Sequence, residues 1–544
     1  MTVTIPHAGV RADHLLGRLG DLLRARPEII TAVLCGIVLA IGQRGPDLPA
    51  QAYRVFLVRH HGLVAYDTHW YDGHPLPGYS LIFPPLAAFV GARLLGSLAC
   101  VAGTAAFARL LRGRNRTGDD LAIIWFAVIS VVDLIVGRLP FALGFTLGIG
   151  ALVAVRERRS TWGWLLAIGC ACASPLAGAF LLIAAAAWWF DIRWRALPLA
   201  GSLLGIGAAA VFGEGGWFPF DWTALLIIML LCVGGLVIVP RDQRLLRRGL
   251  LVYAVASIAL FPWHNPIGGN MIRLGAILGG PVIALGVMRA GPRVLGVDRR
   301  AVLGVCSIPL LIWGFAPLPT AFAVGRDNPS AHASYYSGLL RYLSAHNGDE
   351  GRLEVPLTDS RWEADYLAAK LPLARGWERQ IDRGQNDVLY NDHLTATAYH
   401  QWLLANAVRW VAMPDVALDN SEVGEARLLG DHTPSYLQLV WQNKHWKLWQ
   451  VRDAAPLVRG PVKLVTLGIS SMDLKATRAG TAVVLVRWTR FWKVTVGDAC
   501  VGPSPDGWTQ VTMMHRGPIR IEAQVGLDTL AGGGGQGSCN IPSH

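Results

Sequence analysis

Asp47 stands directly after the first apolar run of the chain. It heads a polar and aromatic stretch, Arg44 to Leu86, that also holds Asp67, Asp72, His60, His61, His69, His74, Arg54, Arg59 and a set of Tyr and Trp residues. An acid anchored at a membrane surface beside aromatic side chains can deprotonate a hydroxyl that lies within hydrogen-bond reach. The competing role is structural: Asp is a favoured helix N-cap, and Pro49 is tolerated in the first turn of a helix that begins near Leu48. A hard divalent cation (Mg, Mn or Ca) held by Asp47 and a second acid, Asp67 foremost, is the metal alternative. The loop histidines lack the closed spacing with cysteines that structural zinc uses. Long connections in compact domains usually carry function, and the other connections in the first 320 residues are short.

Such a loop needs a membrane body to hold it. The chain has 53% hydrophobic and 16% charged residues, whereas ordinary soluble proteins are about a quarter charged. Apolar runs recur from Pro27 to Leu318, and the remainder has the composition of a soluble domain. The spacing and charge pattern predict a polytopic α-helical membrane protein of about eleven transmembrane helices. Its parts are a cytoplasmic amphipathic amino terminus (1–26), a transmembrane domain (27–320) carrying the exoplasmic loop 44–86, an exoplasmic α/β region (321–455) and an exoplasmic β-rich region (456–544) ending in a Gly-rich tail. Trp162 to Phe190 is too long for one span of about 20 residues and is split at Ser174-Pro175.

The net charge of +12 does not imply a nucleic-acid partner, because the Arg-rich clusters near positions 112, 156, 193, 241 and 289 flank apolar segments on one side, as the positive-inside rule requires. Helical spacing marks 334–346 and 395–407. Alternating runs from Pro456 onward mark an antiparallel sheet or sandwich. Cys500 and Cys539 are the cysteines of this half, and their pairing is expected in an oxidising compartment. RWEADY and ARGWERQID suit sugar binding around Trp362 and Trp377, with a buried ion-pair network as the plainer alternative. Trp488, Trp492 and Trp508 are either a carbohydrate platform or core.

The order of features, Asp47 after span one, Ala52-Tyr53 in an amphipathic segment, WYDGHPLPGY, then Pro84-Pro85-Leu86 entering span two, resembles the first exoplasmic loop of the GT-C superfamily of polyprenyl-phosphate-sugar-dependent glycosyltransferases. The second acid common in that family is Leu48 here, and the Lys common before the Pro pair is Phe83. The resemblance implies a GT-C-like fold and Asp47 as the catalytic base. It also implies a polyprenyl-phosphate sugar donor; the expected acceptor is a cell-envelope glycan, and inversion at the anomeric carbon follows if displacement is direct. Candidate substrate-binding residues are Tyr53, Arg54, His69, Trp70, Tyr71, Asp72 and His74 in the loop, and Arg138, His264, Asn265 and Arg273 at outer turns, where a desolvated phosphate needs cations. The expected location is the bacterial inner membrane with the amino terminus cytoplasmic, and the expected sugar is arabinofuranose or mannose. A transporter or flippase for lipid-linked saccharides is the alternative of a different class, and an envelope scaffold is a third.

Overall fold

The computed structural model describes residues 18, 20–112, 116–213, 216–348, 350–430, 433–526 and 529. Most of the expected amino-terminal amphipathic helix, the Gly-rich tail and Cys539 lie outside these residues. The chain divides into two units. One takes the described residues up to Gln43 together with Val90–Ala208 and Pro219–Ala321. The other takes Arg44–Phe89, Ala209–Phe218 and the described residues from Phe322 onward.

The first unit is helical. Five segments are long and apolar enough to cross a bilayer: Ala92–Leu111, Leu139–Arg156, Pro175–Ala210, Gly268–Arg289 and Arg299–Ala323. Three shorter apolar helices accompany them, Glu28–Ala40, Ser160–Ala173 and Trp222–Ile238. The count of eleven spans is therefore not reached among the described residues. The reason is length. The apolar run Leu121–Val136 is divided between the helices Arg116–Ile129 and Val131–Val136, and the run Leu250–Leu260 is only the later part of Arg244–Leu260, whose first turns carry Arg244, Arg247 and Arg248. The break at Ser174-Pro175 is present, with the Ser174 hydroxyl accepting from the Ala177 amide at 3.4 Å.

Small residues let these helices approach, as in membrane bundles generally. Thr31 Oγ1 lies 2.8 Å from Thr104 Oγ1, and Thr146 Oγ1 donates to the Ala99 carbonyl at 2.7 Å. Large apolar side chains face outward, among them Leu204, Leu230, Ile308 and Ile312 at 61–68% exposure. That pattern is costly in water and natural in lipid.

The second unit contains a mixed sheet and a sandwich. Arg352–Glu354 pairs in parallel with Val408–Pro414, which pairs antiparallel with Trp446–Val451, and that strand pairs with the edge strand Leu437–Gln442. The helices Ala333–Ala345 and Ala396–Ala405 accompany it, close to the helical spacings in the sequence. Two four-stranded antiparallel sheets follow. Their alternating strands enclose Met472, Val484, Trp492, Val511 and Ile521, all fully buried. Trp492 is thus core, while Trp488 and Trp508 are half-buried.

The polar stretch Arg44–Phe89 belongs to this second unit and not to the membrane unit. It forms the helix Leu48–His61, a two-residue hairpin pairing Tyr66–Asp67 with His74–Pro75, and the short helix Phe83–Val90. The hairpin turn needs its glycine. Tyr71, Asp72 and Gly73 all have positive φ, and a Cβ on Gly73 would sit 2.5 Å from the Tyr66 hydroxyl.

Candidate active site in the Arg44–Phe89 segment

Asp47 occupies the N-cap position of Leu48–His61, yet its side chain makes no capping hydrogen bond. The carboxylate is half-buried. The turn beneath it is fixed from another part of the unit: the Trp377 indole donates to the Pro46 carbonyl at 2.9 Å, and the Trp377 ring stands edge-on to Tyr79 at 6.3 Å. Arg44 donates to the Tyr366 hydroxyl at 3.0 Å and lies over Trp362. Asp47 therefore stands on an aromatic rim whose backbone is held by a hydrogen bond 331 residues away in sequence.

The other loop residues read as substrate-binding go inward. Tyr53, Trp70, Tyr71 and His74 have no exposed surface, and Arg54, His69 and Asp72 have at most 6%. Tyr53, Trp70 and His74 form a stack with centroid separations of 4.7 and 5.5 Å. Arg54 pairs with Glu378 and lies over Tyr79 at 4.2 Å. The indole of Trp70 donates to the Ala364 carbonyl at 2.9 Å, the Tyr71 hydroxyl to the Glu378 carbonyl at 3.0 Å, and His69 Nδ1 bonds to the Ala368 carbonyl at 2.6 Å. Asp72 binds Arg352 at 2.8 Å. These side chains are the internal frame of the unit, a correction to their reading as substrate-binding residues. A buried polar group is tolerated when hydrogen-bonded, and here the partners come from distant segments that local pattern does not reveal.

Burial also sets the electrostatics. Asp67 accepts from the Tyr53 hydroxyl at 3.1 Å and from the His69 amide at 2.9 Å, but complete burial outweighs these bonds and pushes its carboxyl up to about 7. Burial pushes His69 down to about 4 and His74 to about 3. His74 is therefore neutral at pH 7, and its 4.0 Å approach to Asp67 is not an ion pair. Asp67 does not fit a cation shared with Asp47, because its oxygens already accept from Tyr53 and His69. Among the described residues no group of three or more His, Cys, Asp or Glu side chains converges in a metal-holding cluster.

A second buried network surrounds Arg375, which bonds Asp382 at 2.6 Å and Glu422 at 2.6 Å, with Glu354 and Glu425 at 3.6 and 3.7 Å. All four carboxyls are buried. One guanidinium does not balance four charges in a low-dielectric interior. Burial raises Glu354 well above the usual range, with Glu425 repelling its ionised form, and raises Glu425 to about 8, with Glu422 repelling its ionised form, whereas Arg375 keeps Asp382 below that range. Trp362 is buried, stacked on Tyr366 at 5.1 Å, and Trp377 is half-exposed. The ion-pair reading of RWEADY and ARGWERQID thus holds for most of these residues, and Trp377 is the rim residue that composition singled out without placing.

The remaining candidates lie in the helical unit. Arg138 is half-buried and precedes the helix Leu139–Arg156, and Arg273 lies over Phe141 in that helix's first turn at 5.8 Å. His264 is exposed. Asn265 builds its own turn, donating to the Leu260 and Trp263 carbonyls and accepting from the Ile267 and Gly268 amides. An apolar cavity of about 220 Å³ in the same unit is lined by Phe107, Phe145, Phe180, Leu231, Tyr253 and Leu278, among others. Cys500 is buried and disulfide-bonded.

The long apolar helices and their outward-facing aliphatic side chains decide the class. The chain is a multi-pass membrane protein. No family model and no curated protein matches it. Among solved structures it is similar to the cryo-EM structure of the arabinofuranosyltransferase AftD from Mycobacteria, at 19% identity and a TM-score of 0.43 over 78% of this chain and 40% of that one. A mutant of the same enzyme gives 14% identity and a TM-score of 0.45 over 92% of this chain and 60% of that one. The chain thus spans about two fifths to three fifths of the length of the structures it matches.

Proposed function

We propose that this membrane protein is a glycosyltransferase that moves a sugar from a polyprenyl-phosphate donor to a cell-envelope glycan on the exoplasmic side. The observation that carries the reading is the state of Asp47: it sits at a helix start without capping it, half-exposed, on a turn fixed by Trp377 and bordered by Tyr79. A carboxylate so placed can accept the proton of an acceptor hydroxyl as the lipid phosphate leaves, and direct displacement inverts the anomeric carbon. Within the helical unit taken by itself, Arg138 and Arg273 are proposed to bind a phosphate, and the apolar cavity suits part of a prenyl chain. No step is routed through a divalent cation.

The test is transfer by purified protein from polyprenyl-phosphate-linked arabinofuranose or mannose to an envelope glycan. Absence of transfer with any such donor, together with movement of lipid-linked saccharide across proteoliposomes, would replace this reading with the flippase. The proposed topology, amino terminus inside and second unit outside, is checked by labelling Ser435→Cys in intact cells. A label that appears only after lysis overturns it.

A further inference from the structure

Arg383 lies on the short helix Arg379–Gln385, its guanidinium carbon 4.7 Å from the centre of the Trp217 ring and 5.4 Å from that of Tyr390. The two aromatic faces attract the cation through their ring quadrupoles, but they offer it no hydrogen-bond acceptor. Among the described residues no carboxylate pairs with Arg383, and its Nε is shielded from solvent without a hydrogen-bond partner. The adjacent Asp382 is turned away, engaged by Arg375, Asn386 and Tyr390.

One helical turn earlier on the same face is Arg379, with its side chain 39% exposed. Its partner Asp419 is shared with Arg361, so one carboxylate serves two guanidiniums. Asp359 feels the charges of Arg361 and Asp419 and lies on that side of the network. The segment carrying Trp217 is fitted to this helix. Its amide donates to the Gln380 carbonyl at 3.4 Å, and Gly216, at φ +86°, packs so closely that a Cβ would meet that carbonyl oxygen at 3.0 Å.

We propose that Arg379 and Arg383 form a phosphate-binding site on the second unit, walled on one side by Trp217. Two guanidinium forks on one helix face present more N–H donors than the two oxygens of a carboxylate use well, whereas the terminal oxygens of a phosphate accept from both. The phosphate comes either from a lipid headgroup or from free phosphate, and the chemistry of recognition is the same. The site stands independently of the transfer reaction proposed above, since it rests on neither Asp47 nor the helical unit.

The experiment titrates the full-length protein in detergent with inorganic phosphate by calorimetry, and in parallel counts bound phosphatidic acid by native mass spectrometry, with phosphatidylcholine and acetate as controls. Wild type should bind at least one phosphate probe saturably, and R383Q and R379Q should each weaken that binding by about tenfold or more. Binding of both probes identifies free phosphate as sufficient, and binding of phosphatidic acid alone identifies a headgroup site. Unchanged affinity in both variants, no binding of either probe by wild type, or equal binding of acetate overturns the proposal. Should R383Q melt below wild type, R379Q and the charge-preserving R383K decide, R383K being expected to retain most of the binding.

Discussion

Two parts of one loop behave oppositely. The turn Arg44–Asp47 leaves its carboxylate half-exposed at a rim, whereas the hairpin Tyr66–Pro75, with two acids, two histidines and three aromatics, is buried in the second unit. The difference is in burial. The side chains of Tyr66, His69, Trp70, Tyr71 and Asp72 are enclosed and met by Arg487, Ala368, Ala364, Glu378 and Arg352, all far away in sequence, while Asp47 stands half-exposed at the start of its own helix. Composition alone places both stretches in one reactive loop. Connectivity separates them into a reactive edge and a frame.

The largest effect expected from that contrast is at the edge. Asp47→Asn should lower transfer by about 10² to 10⁴, the usual worth of a general base, with the melting temperature little changed because Asn keeps the shape of Asp and the side chain does not cap the helix. Asp67→Asn should leave transfer within a few-fold. If both variants lose activity alike, the edge and the frame are not distinct.

In the frame, Trp70→Ala removes a fully buried indole and should destabilise the protein by about 3–5 kcal/mol. Chemical denaturation of the second unit, followed through its tryptophans, reads this out. A loss below about 1 kcal/mol would mean that the hairpin is a replaceable loop after all. Next in size is the Cys500 disulfide. If its partner is Cys539, closing the tail onto the sandwich, its removal in Cys500→Ser should cost roughly 3–4 kcal/mol on the loop-entropy account. Alkylation of Cys539 without prior reduction would refute that pairing.

The smallest effects are in pH dependence. Asp67 titrates near 7 in the fold against an ordinary 3.8, and Glu425 near 8 against 4.5. Both folded-state values are raised, so the stability these groups allow is complete below about 4 and is lost as pH rises through 7 and 8. Each unit of pH in that window costs about 1.4 kcal/mol per retained proton at most. The second unit should therefore melt at a lower temperature at pH 8.5 than at pH 5. Asp67→Asn and Glu425→Gln should each flatten the slope, though not remove it, because Glu363 and Asp365 are also raised to about 7. A wild-type stability that rises with pH across this range would contradict the buried-proton account.

Much of the architecture was legible in the residues. Period-two alternation from Val462 to Ala523 marked the sandwich, since one face of each strand must be apolar, and the break at Ser174-Pro175 marked a helix end, since proline lacks the amide that a continuing helix uses. The count of spans was not legible, because apolar length does not say whether a run crosses or only packs. The environment of Asp47 was legible in its position but not in its neighbours: Trp377 reaches Pro46 only once the chain has folded back.

The sequence by itself determined the membrane class, the sandwich strands and the polar loop with an acid at its head, because periodicity and hydropathy are local properties that each segment carries unaided. The tertiary structure alone decided that most of the loop's acids and histidines form an interior frame and that, among the described residues, no carboxylate pairs with Arg383. Whether a polar side chain is exposed, paired or left without a partner depends on which distant segment arrives beside it.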